Sequence, residues 1–309
     1  MSIENGLITI AMQKSGRLNE KTIKLFNDCD IDVPQGGRQD FSYSNKFPIK
    51  FLFLRNGDIP TVVNRGFADL GVAGQDGVYE SGYPLVEVMP LGYGGCNVAL
   101  GVREDFPYSE PKDLEGLAIA TSFPRLTTEF FRSNSVNVDI FELGGSVELA
   151  ANQDWVKACV DVTSSGESMR VNGLDIKRIL MPSEAELVAS PLLQKRRGTE
   201  TTVMDLVSRL LAVTRAQQNR FIAINAPSDK VDEISEIAKK AGSTSPNSTF
   251  SANPNIVEIQ AMIRSKNFWE TSQLIHLAGG REIAELSVVR SLPNPDDPQL
   301  NSIRKMIYG

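Results

Sequence analysis

Histidine is all but missing from this chain, since His276 is the only one in 309 residues. A Ser-His-Asp triad or a His-rich metal site would have to be assembled around that one side chain, and a lone histidine is usually structural. Cysteine is scarce as well. Cys29, Cys96 and Cys159 are widely spaced and form no CxxC pair, which argues against a disulfide framework and a zinc site and points to a reducing compartment. No run of about eighteen apolar residues occurs, and the opening "MSIENGLITIAMQKSG" lacks a cationic segment followed by a long apolar one. The expectation is a soluble, cytoplasmic protein without a membrane partner. Positive charge is in deficit: 32 Lys and Arg against 38 Asp and Glu give a net charge of -6, opposite to a nucleic-acid footprint. Low-complexity segments, heptads and short repeats are absent too.

What is present suits a folded, multidomain α/β protein, because 41% hydrophobic residues in a chain of this length supply ordinary cores for two or three domains. The front half alternates apolar runs ("LITIAMQ", "PIKFLFLR", "ADLGVAG") with helix-like segments ("LNEKTIKLFNDCD", "IPTVVNRGF"), the rhythm of an open sheet covered by helices. A second set follows in "NVALGVRE", "LAIATS", "VDIFELG" and "ACVDV", so two lobes with a cleft are expected. "TTVMDLVSRLLAVTRAQQN" reads as one long amphipathic helix. After it come strand, loop, helix, the polar patch "STSPNSTFSANPN", strand "IVEIQAMIR", helix and strand "IAELSVVRSL", a small split βαβ domain of ferredoxin type.

Chemistry is expected in the loops. In "VDVTSSGESMRVNGL" a strand ends at Asp161 and breaks into Ser164, Ser165, Gly166, Glu167 and Ser168. Backbone N–H groups and hydroxyls around one glycine form a donor set suited to a phosphate, and a carboxylate beside it suits a sugar diol. The same spacing also suits a capped, Ser-rich turn. In "AMQKSGRL" Lys14 and Arg17 flank a turn at a helix start, as phosphate clamps or as surface charge. "LRNGDIPTVVNRGFADLGVAGQDGV" offers Arg55 and Asp58 ahead of a helix, and Asp69, Gly71 and Gly74, either at a ligand or in plain turns. "ATSFPRL" offers Thr121, Ser122, Phe123 and Arg125, with Phe123 against a base or in the core. Together these residues supply hydroxyls, a carboxylate and cations without a nucleophile–base pair, an inventory for aligning charged substrates.

The ordered series "IAMQKSGRL", "DIPTVVNRGFADLGVAGQD", "LGYGGCNVALGV", "IATSFPRL", "ELGGSVELA" and "VDVTSSGESMRVNGL" closely resembles the long form of ATP phosphoribosyltransferase. The resemblance implies transfer of the phosphoribosyl group of 5-phosphoribosyl 1-diphosphate (PRPP) to N1 of the adenine of ATP, with Mg²⁺-bound pyrophosphate leaving. This is the first step of histidine biosynthesis. It also implies a two-lobed catalytic part of periplasmic-binding-protein type II architecture, with residues 1–98 and 183–218 in one lobe and 99–182 in the other. A ferredoxin-like regulatory domain over 219–309 would bind histidine as feedback inhibitor in a homo-oligomer of dimer to hexamer size. By the same resemblance Asp161, Ser164, Ser165, Gly166, Glu167 and Ser168 hold PRPP, while Lys14, Arg17, Asp69, Gly71, Thr121 and Phe123 serve ATP or pyrophosphate. Mg²⁺ is the cofactor, held by no protein cage, and no residue is singled out as a general base. The chain departs from the family pattern at Asn97, Phe123, Asp154 and Lys157, and in its tail, "LSVVRSLPNPDDPQLNSIRKMIYG". Those departures motivate an alternative, a regulatory protein that binds PRPP or histidine and turns over poorly. An exported solute-binding protein of the same architecture would need a leader that the opening residues do not resemble.

Overall fold

The computed structural model describes residues 6–34, 40–250 and 255–309. In chain order the first elements are β1 Ile8–Gln13, α1 Arg17–Asp28, β2 Phe41–Tyr43, β3 Ile49–Leu54, α2 Ile59–Asn64, β4 Leu70–Gly74, α3 Gln75–Ser81 and β5 Val86–Pro90. Then come β6 Cys96–Arg103, β7 Ala118–Thr121, α4 Pro124–Ser133, β8 Asp139–Glu142, α5 Glu148–Asn152, β9 Ala158–Thr163, α6 Glu167–Val171, β10 Leu174–Ser183 and β11 Ala185–Ala189. The remainder is α7 Glu200–Gln217, β12 Asn219–Pro227, α8 Val231–Lys240, β13 Asn247–Phe250, β14 Ile256–Arg264, α9 Phe268–Leu277, β15 Glu282–Ser287 and α10 Pro298–Tyr308.

Two α/β sheets carry the front of the chain. The first has the order β2-β3-β1-β4-β11-β5 and the second β10-β6-β9-β7-β8. In the first, β1, β3 and β4 run parallel, and β11 returns antiparallel between β4 and β5. In the second, β7, β8 and β9 run parallel, with β6 antiparallel to β9 and β10. The chain therefore passes between the sheets twice, from β5 to β6 and from β10 to β11. Every residue of β4 is buried, as expected of a central strand covered on both faces. On β6 the period of two separates a large-residue face from a small one. Val98, Leu100 and Val102 pack with Phe131 and Val160, whereas Ala99 packs with Ala120, Ala150 and Cys159. Helix α1 buries Asn19, Thr22, Leu25 and Phe26, one stripe at helical spacing, and Phe26 meets Phe51 edge to face with centroids 5.3 Å apart.

The third sheet has four antiparallel strands in the order β13-β14-β12-β15, and its chain order βαββαβ is the ferredoxin-like arrangement. Its core joins Ile222, Ile224, Ile234, Val257, Ile259 and Ile275. Three local expectations need correction. Strand β13 lies inside the polar patch, where an edge strand paired to β14 alone keeps Asn247, Ser248 and Thr249 exposed; Ser251 to Pro254 of that patch lie outside the described residues. Strand β15 ends at Ser287, short of the apolar pattern. The tail forms α10, which buries Leu300, Ile303 and Ile307 on one stripe. Helix α7 also buries Val203, Leu206, Val207, Leu210, Leu211, Ala212 and Val213, which covers more of its circumference than an amphipathic surface helix needs.

The chain divides into two compact units. One contains Met1–Asn27, Ile31–Val203 and Asn301–Gly309; the other contains Asp28–Asp30 and Met204–Leu300. Both α/β sheets belong to the first unit and the four-stranded sheet to the second. Among the described residues no helix is long and apolar enough to cross a membrane.

Candidate active site

Strand β9 sits between β6 and β7, so its carboxyl end opens at the middle of the second sheet. Asp161 lies two residues before the strand's end at Thr163, not at the end as expected, because Val162 and Thr163 still pair with β6; it is half-buried and accepts hydrogen bonds on Oδ1 from the Ser122 hydroxyl and the Val162 N–H, each 2.8 Å long. Burial pushes its carboxyl above the usual aspartate range, the two hydrogen bonds oppose this, and the charges of Glu148 and Asp76 push the same way as burial. Beyond it the Gly166 N–H donates to Thr163 Oγ1 at 2.9 Å and closes the turn. Gly166 has φ 76°, and a Cβ there would lie 2.8 Å from Ile176 Cδ1. Only glycine enters this turn without strain. Ser164, Ser165, Glu167 and Ser168 are exposed around it, whereas Gly166 itself is buried.

Across from this loop, the carboxyl end of β4 leads into α3. The Asp76 N–H donates to Ser183 Oγ at 3.1 Å, and the Ser183 hydroxyl donates to Asp76 Oδ1 at 2.8 Å. Gln75, Gly92, Tyr93, Cys96, Ser183 and Glu184 line a cavity of about 440 Å³ beside these residues, where the chain passes between the sheets. Lys14 and Arg17 occupy the carboxyl end of β1, next to β4, and both are exposed. Lys14 Nζ pairs with Asp40 at 2.6 Å. Sequence reasoning did not weigh Asp76, although "GQD" directly after a buried strand was the available signal.

Beneath α3 lies Glu186 of β11, 3% exposed. Burial raises its carboxyl to about 7, helped by the charges of Glu87, Asp76 and Glu184 and opposed by a hydrogen bond from Gln75. One of its oxygens has no hydrogen-bond partner. The folded protein therefore holds a proton that the unfolded chain releases at the ordinary glutamate value. Stability is greatest below that value and declines as pH rises through about 7. Glu186→Gln is expected to flatten this dependence and to stabilise the protein at pH ~8 by up to roughly 3 kcal/mol, at about 1.4 kcal/mol per pKa unit. Thermal unfolding of both proteins between pH ~5 and ~8 checks it; parallel curves would show that Glu186 is already ionised.

Other predicted residues lie elsewhere or play a different part. Asp69 stands at the amino end of β4, about one strand length, roughly 17 Å, from the carboxyl edge. It is 3% exposed, accepts the Thr9 N–H at 2.7 Å and pairs with Arg196. Gly71 is buried under α2, where a Cβ would lie 2.7 Å from Val63, so its smallness serves helix packing. Thr121 is fully buried, bonded to Thr127 at 2.9 Å and accepting the Phe123 N–H. Phe123, 8% exposed, packs with Val98, Leu126 and Phe131. These two residues build the turn that carries Ser122. Lys157 and Asp154, two departures from the family pattern, pair with each other at 2.5 Å, and Arg103 joins Asp154 at 2.9 Å. That network sits at the amino end of β9, away from Asp161.

Comparison with known proteins agrees with this architecture. A family model described as HisG, ATP phosphoribosyltransferase, matches residues 55–212. An ATP phosphoribosyltransferase of Cytophaga hutchinsonii is 31% identical over 282 residues, which is 91% of this chain and 97% of that protein. One of Parabacteroides distasonis is 32% identical over 287 residues, covering 93% and 100%, and one of Methanococcoides burtonii is 30% identical over 289 residues, covering 93% and 100%. Among solved structures, a chain of the ATP phosphoribosyl transferase (HisG:HisZ) complex from Thermotoga maritima superposes with a TM-score of 0.57 at 24% identity, covering 66% of this chain and 96% of that one. At that identity the likeness is one of fold.

Proposed function

Because this chain belongs to the ATP phosphoribosyltransferase family, the enzyme that transfers the phosphoribosyl group of PRPP to N1 of the adenine of ATP in the first step of histidine biosynthesis, we propose that the β9–α6 loop holds that group. The observation that carries this reading is Asp161, desolvated and oriented by Ser122, directly ahead of exposed hydroxyls on a left-handed glycine turn. The 5′-phosphate sits on the hydroxyls and amides from Ser164 to Ser168, and the Asp161 carboxylate accepts hydrogen bonds from the ribose diol. The Glu167 N–H bond to Ser165 Oγ is long, 3.4 Å, and an incoming oxyanion replaces it with a stronger one.

In the reaction the N1–C1′ bond forms as the bond from C1′ to the pyrophosphate oxygen breaks, with inversion at C1′. Adenine N1 needs no deprotonation before it attacks. The protein's work is alignment and stabilisation of the charge leaving with pyrophosphate. Lys14 and Arg17, at the carboxyl end of β1, are the cations assigned to ATP or pyrophosphate. Among the described residues no group of three or more His, Cys, Asp or Glu is arranged to hold a metal. A Mg²⁺ would arrive on the diphosphate of PRPP, keeping substrate and water oxygens as is its usual mode, and would supply charge neutralisation of the leaving group.

Asp69, Gly71, Thr121 and Phe123 fall outside the proposed contact set. Asp69→Ala is expected to cost about 2–3 kcal/mol of stability through the orphaned Thr9 N–H and lost ion pair, and to leave the KM for ATP within about twofold of wild type. Denaturation alongside steady-state kinetics checks both; a KM change above tenfold at full folding would return Asp69 to the ATP site. The pairing of Lys157 with Asp154 accounts for two of the departures from the family pattern. Histidine inhibition through the four-stranded domain, assembly into a homo-oligomer and a cytoplasmic location complete the proposed reading. Mass spectrometry of ATP, PRPP and Mg²⁺ incubated with the protein and pyrophosphatase tests it: phosphoribosyl-ATP is expected, and none from folded protein would refute it.

A further inference from the structure

Helix α4 starts without a local cap, since its N-cap residue is Phe123, which makes no side-chain capping bond. The first N–H groups of a helix need acceptors, and here two of them find one 45 and 46 residues earlier in the chain. The Arg125 N–H donates to Glu80 Oε1 at 2.7 Å, and the Leu126 N–H donates to Glu80 Oε2 at 3.0 Å. Glu80 belongs to α3, which follows β4 of the other sheet. Arg125 returns the contact: its Nη1 donates to the Tyr79 carbonyl at 3.1 Å, its Nε donates to Glu129 at 3.0 Å, and its guanidinium lies 5.2 Å from the centre of the Tyr79 ring. The Tyr79 hydroxyl donates to Glu129. Helices from two sheets thus hold each other by backbone, ion-pair and ring contacts.

Three residues before Arg125 stands Ser122, whose hydroxyl orients Asp161. The first turn of α3 carries Asp76, whose charge reaches Asp161. Ser122 and Asp76 therefore both sit on elements joined by this α3–α4 contact. We propose that Glu80 is a positioning residue of the phosphoribosyl pocket: by capping α4 from the opposite sheet it fixes Ser122, and through Ser122 the direction of the Asp161 carboxylate. The inference rests on the reading of the β9–α6 loop as the PRPP site. Glu80 itself touches no substrate. A cap that served only stability would, on its loss, lower the melting temperature without selecting one substrate.

The test is a comparison of wild type, Glu80→Ala, Glu80→Gln, Ser122→Ala and the Glu80→Ala/Ser122→Ala double variant, each read by steady-state kinetics and by calorimetric binding of PRPP. Glu80→Ala is expected to raise the KM and Kd for PRPP about tenfold and to leave the KM for ATP within about twofold, since about one hydrogen-bonded orientation is lost at one substrate only. Glu80→Gln, which keeps one acceptor oxygen, is expected to raise the same PRPP constants about threefold. The double variant is expected to match the weaker-binding single variant, because residues acting in series do not add. PRPP constants unchanged in Glu80→Ala, equal changes for both substrates, or a double variant whose defect is the product of the two singles would each overturn the proposal. Should Glu80→Ala not fold, Glu80→Gln decides, with a threefold rise confined to PRPP expected and no change contradicting. Wild type that binds PRPP without turnover would instead count against the reaction assigned to the chain, and the Kd comparison would still judge Glu80.

Discussion

Asp161→Asn is expected to lower kcat/KM for PRPP by roughly 10²–10³, because a carboxylate that takes both ribose hydroxyls makes two charge-assisted hydrogen bonds worth about 1.5–3 kcal/mol each. Asparagine keeps one acceptor and turns an amide NH₂ toward Ser122 or the diol, so at least one of those bonds is lost and another is left neutral. The KM for ATP should stay within about twofold. Two further readouts separate this from simple damage. Burial pushes the Asp161 carboxyl above the usual range, and only the ionised form accepts both hydroxyls, so wild-type activity should fall on the acid side at a higher pH than an ordinary carboxylate would give; the variant should lack that limb. Stability moves the other way. A group whose folded pKa is raised contributes most below its unfolded value and costs stability once ionised at neutral pH, so the variant should melt higher than wild type near pH ~8. A variant that is less active and less stable, with the acid limb intact, would place the ribose elsewhere.

Gly166→Val should be nearly as damaging by a different route. At φ 76° a β-branched residue pays roughly 1–2 kcal/mol or more for the left-handed conformation, and its Cβ would press on Ile176. The cheapest relief is to move the turn, which takes the Ser164, Ser165 and Glu167 amides off the phosphate. Displacements on the order of 1 Å cost about 10² in rate when alignment is the catalytic device. The expected result is a fall of roughly 10² in kcat/KM for PRPP with a melting temperature lowered by only a few degrees, about what ~2 kcal/mol produces in a chain of this size. Kinetics and thermal unfolding of the purified variant check it, and wild-type kinetics would show that the turn does not hold substrate.

Much of this site was legible because strands and turns announce themselves locally. The run "ACVDV" followed by hydroxyls and a glycine places a strand with Asp161 near its end and an exposed glycine turn after it from period and turn chemistry alone. Asp69 shows the limit of that reasoning. "ADLG" marks a junction between loop and strand, yet local sequence does not say at which end of the strand the aspartate falls. Only the parallel pairing of β1 with β4 shows that it belongs to the edge away from Lys14. The sequence leaves Phe123 open between a base and the core, and burial places it, with Thr121, in the turn. Strand β13 escaped because an edge strand needs no apolar alternation, and α10 because a Pro/Asp-rich approach masks a stripe formed by Leu300, Ile303 and Ile307. Glu80 was beyond reach for another reason: its partners Arg125 and Leu126 are set by how two sheets meet, which no window of sequence contains.

The most direct single measurement is a crystal structure of the protein soaked with PRPP and Mg²⁺. The expected density puts the 5′-phosphate within hydrogen-bond reach, about 2.7–3.2 Å, of the hydroxyls and amides from Ser164 to Ser168, with both ribose hydroxyls on the Asp161 carboxylate. A phosphoribosyl group bound elsewhere, with Asp161 still engaged only by Ser122 and Val162, would contradict it.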